Sequence, residues 1–381
     1  MDIRLSEYAV HNADQILTPA LLIYPERVDR NIQATLRMVG GDPERWRPHI
    51  KTAKLAATVR RFLDHGIRNF KCATSLELLT ACREGASDVL LAFPITGPNV
   101  ERTREIAAQY PRTRVSVLVE SSEQAAPWRD SEGGIFIDVN PGMDRTGIDQ
   151  ERAEEVVLLA REAGSAFRGL HYYDGHMSGV GASERESKTH AGYDRLLRIV
   201  DKLASAGMSP NEVITSGTPA APYGFSYAGF NTGRFIHRIS PGTVVYNDFT
   251  SLEQLPDYGY APAVLVLSTV VSHPTPRHVT CDAGHKSVSA DAGVPTCEVI
   301  GRAGFKPLKP SEEHLPIEVA PGVDMPQIGD KLYLLPRHVC PTVNNFDEAL
   351  IVVNGRIERV EPVTARGHEN PLVVAKAQAT A

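Results

Sequence analysis

The chain has 381 residues, 42% of them hydrophobic and 23% charged, and carries a net charge of −6. That length suggests two domains or one large barrel with an addition, and the composition is that of an ordinary globular protein. Acids and bases are interspersed, which argues against a nucleic-acid surface, and apolar runs such as residues 264–271 are too short to span a bilayer.

The first residues, MDIRLSEYAVHN, show no basic region followed by an apolar run, so no secretory signal is expected. Cys72, Cys82, Cys281, Cys297 and Cys340 are odd in number and scattered, unlike a disulfide framework. A reducing cytoplasm is the expected compartment.

In chain order, residues 1–18 are mixed and polar, and Thr18-Pro19 leads into the apolar run ALLIY, an expected strand. Val28, Ile32, Leu36 and Val39 recur at helical spacing until Gly40-Gly41. RPHIK reads as a short buried strand, followed by a helix carrying Leu55, Val59, Phe62 and Leu63. NFKCAT is a strand, and Ser75 is expected to cap the helix that ends at Gly85. DVLLAFP, RVSVLVE, GIFIDVN, FRGLHYY, EVITSG and residues 237–246 continue the series, with helical segments between them. Continuous apolar runs of this kind suit strands buried on both faces of a parallel sheet. About eight strand–helix units precede Phe249, the number of a closed parallel barrel, and no GxGxxG follows a strand. From near Gly259 the texture becomes short strands punctuated by Gly and Pro, an all-β pattern.

The expected fold is therefore an α/β barrel of the TIM type with a C-terminal all-β domain. Its expected divisions are an N-terminal segment (1–18) packing on the β domain, the barrel (19–255), the β domain (256–366) and a loose tail (367–381).

Barrel active sites lie at the C-terminal ends of the strands, and several polar groups fall there. Lys51, in RPHIKTAK, ends one strand; an amine so placed suits Schiff-base chemistry, and the nearby Arg47, His49 and Lys54 are expected to favour its neutral form. Asn140 with PGMDRTG ends another strand, and Tyr172, Tyr173, Asp174 and His176 end a third. Ser216-Gly217-Thr218 and Gly242-Thr243 end the last two, where small residues let backbone N–H groups approach a phosphate. A Schiff-base lysine and a phosphate cradle on one rim point to pyridoxal phosphate. In PRHVCPTVN, His338 and Cys340 share a face if the chain is extended, giving an imidazole–thiolate pair of the zinc-ligand type with positions left for water or substrate. The plain alternatives are ordinary turns for the glycine motifs, and a loop histidine beside a buried cysteine.

With these residues in view, nearly the whole chain resembles the alanine-racemase-like (fold-type III) pyridoxal-phosphate enzymes, and more narrowly the D-threonine aldolase and D-serine dehydratase family. RPHIKTAK matches the family signature RPHxKxxK, which implies that Lys51 carries the cofactor. GMDRTG implies that Arg145 contacts the cofactor's ring oxygen, and GLHYYDG that Tyr173 enters the pocket. SGTP and PGTVVYND match phosphate-binding segments, assigning Ser216, Gly217, Thr218, Gly242 and Thr243. HVCPTVN matches the metal motif, assigning His338 and Cys340 to a divalent ion such as zinc or manganese. The family's EHG motif stands here as Glu313-His314-Leu315, and no role is carried to it.

Two departures bear on the reaction. The resemblance associates His-x-Asp at the metal with aldolases and His-x-Cys, as here, with D-serine dehydratases. Aldolases also place a base histidine a few residues beyond the pocket tyrosine; here that position is near Gly179, and His176, the nearest candidate, is offset. The expectation is a homodimeric lyase of β-hydroxy-D-amino acids that removes water to give a keto acid and ammonia. Retro-aldol cleavage to glycine and an aldehyde is the alternative, and a racemase or a non-catalytic cofactor-binding protein is less favoured.

Overall fold

The computed structural model describes residues 3–129 and 131–372. Its contacts divide the chain into two units, one comprising residues 1–34, 52–58 and 243–366 and the other residues 35–51, 59–242 and 367–381. Residues 1–2 of the expected N-terminal segment and 373–381 of the expected tail lie outside the described residues.

The larger unit is a parallel barrel sheet. Asn69–Cys72, Asp88–Leu91, Arg114–Val119, Ile135–Asn140, Phe167–Tyr172, Glu212–Thr215 and Ile236–Ile239 pair in that order, each parallel to its neighbour. RPHIK forms no extended strand; two parallel bridges, Trp46 with Ile239 and His49 with Lys71, set it between the last strand and the first. The pre-proline position and Pro48, which has no N–H to donate, limit regular pairing there. The Arg47 N–H donates to Ile239 O (2.9 Å) and the Lys71 N–H to Pro48 O (2.9 Å). Trp46 is fully buried, stacks edge-on against Phe62 and donates its indole N–H to Pro241 O at 2.9 Å.

Inward positions alternate along these strands. At the N-terminal end Arg47, Asp88, Arg168, Glu212 and Arg238 form one buried ion-pair network. Above it Leu90, Leu118, Phe136 and Ile214 pack as an apolar layer. The polar residues of the candidate site follow towards the C-terminal ends.

The smaller unit is built on a nine-stranded sheet whose main path is Phe305–Pro307, Leu315–Val319, His278–Cys281, Val264–Thr275, Ala20–Ile23, Glu348–Val353 and Arg356–Pro362. Here the expected division at residue 19 fails. Ala20–Ile23 pairs antiparallel with Val264–Thr275 and parallel with Glu348–Val353, so the run read as the first barrel strand is a central strand of the other sheet. A run buried on both faces looks alike in either sheet, and only its distant partners distinguish them. The segment before it also packs in this unit: Tyr24 donates to Tyr8 O at 2.7 Å, and Tyr333 accepts from the Val10 N–H at 2.8 Å. A smaller correction concerns Ser75, which opens its helix, while the cap is Thr74, whose side chain accepts from the Glu77 N–H.

Candidate active site

Lys51 follows the bridged segment at the C-terminal end of the barrel. Its position is fixed by backbone pairing before it, since the Ile50 N–H donates to Lys71 O at 2.8 Å and Ser240 Oγ donates to Arg47 O at 2.8 Å. Gly242 is required alongside, because a Cβ there would lie 2.3 Å from His49 O. The Lys51 Nζ stands 5.9 Å from the centre of the Tyr173 ring.

Tyr173 gathers the site. Besides Lys51, Arg145 Cζ lies 4.9 Å and Lys71 Nζ 5.4 Å from its ring centre. Its edges are pressed by glycines: a Cβ at Gly217 would come within 3.0 Å of the ring and one at Gly175 within 2.5 Å. The loop that delivers Arg145 is a local turn in which Asn140 Oδ1 accepts from the Gly142 and Asp144 N–H groups (2.9 and 3.1 Å). Asp144 takes a left-handed φ of 55°, a conformation Asp tolerates.

Beside Tyr173 lies a triad that the motifs did not reveal. Lys71 Nζ is 3.1 Å from His171 Nε2, and His171 Nδ1 is 2.7 Å from Asp138 Oδ1. A carboxylate only accepts, so Nδ1 donates to Asp138, leaving Nε2 to accept from Lys71. Asp138 Oδ2 also accepts from Thr146 Oγ1 at 2.8 Å. Burial, reinforced by the Lys51 charge, lowers the Lys71 pKa to about 7. Burial and Lys71 likewise hold His171 below its ordinary value. The available signal was a charged residue inside an apolar strand: Lys in NFKC, Asp in GIFIDVN, His in FRGLHYY.

The cations beside Lys51 are thus not the ones expected from the sequence. Arg47 is fully buried and turned to Glu212 (2.9 Å) and Asp88 (2.9 Å), and Lys54 donates to Ala365 O at 3.1 Å. Lys71 and Arg145 take their place around Tyr173.

Of the residues expected to meet a phosphate, Ser216 and Gly217 have other partners. The Ser216 hydroxyl lies 2.9 Å from both Tyr193 OH and Thr215 Oγ1, and the Gly217 N–H donates to Asp174 Oδ1 at 2.8 Å. A buried carboxylate requires donors, and Asp174 takes Gly217 and Tyr193 (2.8 Å). Burial raises its pKa to about 6 despite those two bonds. Thr218 opens the short turn Thr218–Ala220. Thr243 belongs to the smaller unit, with Oγ1 3.5 Å from Cys340 Sγ. His176 sits in the turn Gly175–Gly179; its Nδ1 is buried without a hydrogen-bond partner, and desolvation lowers its pKa.

In the smaller unit the HVC motif is not an extended strand. His338 is the extended N-cap residue (φ −134°, ψ 107°) of the helix Val339–Asn344, and Cys340 lies in its first turn. The two side chains nevertheless interact: burial opposes charge on His338, but the Cys340 sulfur and the Asp291 carboxylate outweigh it and hold its pKa up at about 9. His338 Nδ1 is 2.6 Å from Asp291 Oδ2, and Thr52 Oγ1 is 3.0 Å from Cys340 Sγ. Among the described residues no group of three or more His, Cys, Asp or Glu is arranged to hold a metal.

These residues fit the two groups expected. An amine for an aldehyde and two further cations stand at one aromatic wall, the Tyr173 ring, as pyridoxal phosphate requires. Imidazole and sulfur converge where positive charge is favoured, with a carboxylate orienting the imidazole through its other nitrogen, as at a metal site.

Comparison with known proteins agrees. The family model for the alanine racemase N-terminal domain matches residues 23–248, and a serine dehydratase domain model matches residues 263–352. A 3-hydroxy-D-aspartate aldolase of Paracoccus denitrificans (strain Pd 1222) is 30% identical, with 93% of each chain covered. A D-threo-3-hydroxyaspartate dehydratase of Delftia sp. is 22% identical over 86% of this chain and 92% of the relative. A solved D-threo-3-hydroxyaspartate dehydratase, a cysteine-to-alanine mutant in the metal-free form, superposes with a TM-score of 0.77 at 20% identity, covering 94% of this chain and 100% of that one. The solved D-threonine aldolase of Filomicrobium marinum superposes with a TM-score of 0.82 at 25% identity, covering 94% of this chain and 98% of that one. The chain belongs to the alanine-racemase-like family of D-threonine aldolases and D-serine dehydratases, and is a pyridoxal-phosphate-dependent lyase.

Proposed function

We propose that the protein is a divalent-metal-dependent member of this family that eliminates water from a β-hydroxy-D-amino acid, yielding a keto acid and ammonia. The observation that carries this reading is the His338–Cys340 pair, with Asp291 Oδ2 2.6 Å from His338 Nδ1, since the resemblance associates His-x-Cys with dehydratases. Elimination needs a base to take the proton from the substrate's Cα, and Lys51 is the residue assigned to it. The cofactor supplies an electron sink at Cα. A bound zinc or manganese ion supplies a Lewis acid for the β-hydroxyl. His338 and Cys340 would hold that ion, with Asp291 fixing the imidazole. Arg145 would hold the cofactor's ring oxygen, Tyr173 would wall the ring, and Thr218 and Gly242 would face the phosphate. A homodimer belongs to the same proposal, on the family resemblance alone.

Retro-aldol cleavage is the second reading, favoured by the 30% identity to an aldolase. It needs a base at the β-hydroxyl proton rather than at Cα, a role for which His176 is the candidate.

The test is to incubate the holoenzyme and metal separately with D-serine, D-threonine and 3-hydroxy-D-aspartate and to resolve the products. Keto acid with ammonia supports elimination. Glycine with an aldehyde overturns it in favour of cleavage, and epimerised substrate alone overturns both.

A further inference from the structure

The chemistry proposed above leaves Lys71 without a task, yet the fold supports it closely. It lies in the fully buried strand Asn69–Cys72, its own exposure only 2%. Burying an ammonium is costly unless charged or hydrogen-bonding partners meet it. The direct partner is His171, whose neutral ring bears no charge and passes the contact on to Asp138. The other charged groups facing Lys71 are Lys51 after the bridged segment, Arg145 on the loop beyond Ile135–Asn140, and Asp174 beyond Phe167–Tyr172.

With Lys51 committed to the cofactor's aldehyde, Lys71 and Arg145 remain as the cations at Tyr173. Among the described residues neither meets a carboxylate directly, since Asp138 is shared between His171 and Thr146 and Asp174 is held by Gly217 and Tyr193. The pocket therefore offers two cations suited to an anion. Lys71 is too deeply buried to meet a transient solvent anion, which favours a resident one.

Building on the pyridoxal-phosphate reading, we propose that Lys71 is a second cation of the cofactor pocket, its ammonium anchored through His171 to Asp138 and contacting an anionic oxygen of the bound cofactor beside Arg145. An arginine is a permanent cation. Burial and the Lys51 charge lower the Lys71 pKa to about 7 before the cofactor binds, so Lys71 is the cation of the two whose charge pH can withdraw. The pocket thus has one permanent and one pH-dependent positive group.

The test needs no substrate. The absorbance of the holoenzyme is followed from pH 6 to 8, and pyridoxal phosphate release is measured at pH 6, for wild type, Lys71→Met and Lys71→Arg. Wild type is expected to show a one-proton step in the cofactor band. Lys71→Met is expected to lose the step and bind the cofactor on the order of tenfold or more weakly at pH 6. Lys71→Arg is expected to retain the cofactor and hold the low-pH spectrum throughout. A step and retention unchanged in both variants overturn the role of Lys71 while leaving the lyase reading intact. A wild-type protein that acquires no cofactor band overturns both.

Discussion

Asp291 Oδ2 lies 2.6 Å from His338 Nδ1, so the carboxylate fixes the imidazole from the side opposite the nitrogen left for a metal. Such outer partners orient a ligand and raise its basicity. Asp291→Asn is predicted to weaken metal binding about 10–100-fold, measured by competition with a chelator, with the cofactor absorbance unchanged. Unaltered metal affinity would remove Asp291 from the site.

Glu212 carries the buried network at the N-terminal end of the barrel, reaching Arg47 at 2.9 Å, Arg238 at 2.5 Å and Arg168 at 3.5 Å. Glu212→Gln keeps the shape but leaves Arg47 and Arg168 with Asp88 as their remaining carboxylate and Arg238 with Glu44 alone. Unfolding stability is predicted to fall by about 3–5 kcal/mol, read by denaturant titration.

Asp88 gives the same network a pH signature. Burial would raise its pKa, but Arg47 and Arg168 outweigh burial and hold it well below the usual carboxylate range. Its contribution to stability is therefore fully present above the unfolded value near about pH 3.9 and is lost as the pH falls below it. Stability measured from pH 6 downward is predicted to drop below about pH 4, and less steeply in Asp88→Asn.

Gly242→Ala tests the platform under Lys51. The added Cβ would lie 2.3 Å from His49 O, a backbone atom that moves only with the segment before Lys51. Overpacking of this kind costs about 1–3 kcal/mol, and the melting temperature is predicted to fall together with cofactor retention.

The strands of the barrel were legible because each is a short apolar run between turn residues, as in DVLLAFP and GIFIDVN. Membership in the sheet was not, since Ala20–Ile23 reads the same beside either sheet and only its pairing with Val264–Thr275 decides. Lys51, Arg145 and Tyr173 were legible as residues at strand ends, and they do meet at one ring. The apparent proximity of Arg47 to Lys51 misled, because alternation along the chain sends Arg47 to Glu212. Lys71, His171 and Asp138 come from three separate strands, a juxtaposition that no local pattern encodes. In HVC the residue pair was legible but not its backbone, which turns into a helix at Val339.

We assign Lys51 as the amine that carries the cofactor, with Lys71 beside the same ring as the natural rival. Borohydride reduction of the holoenzyme, followed by digestion and mass spectrometry, locates the trapped pyridoxyl group. It is expected on the peptide containing Lys51, with Lys71 unmodified. A pyridoxyl group found on Lys71 after the same reduction of the wild-type holoenzyme would overturn that assignment.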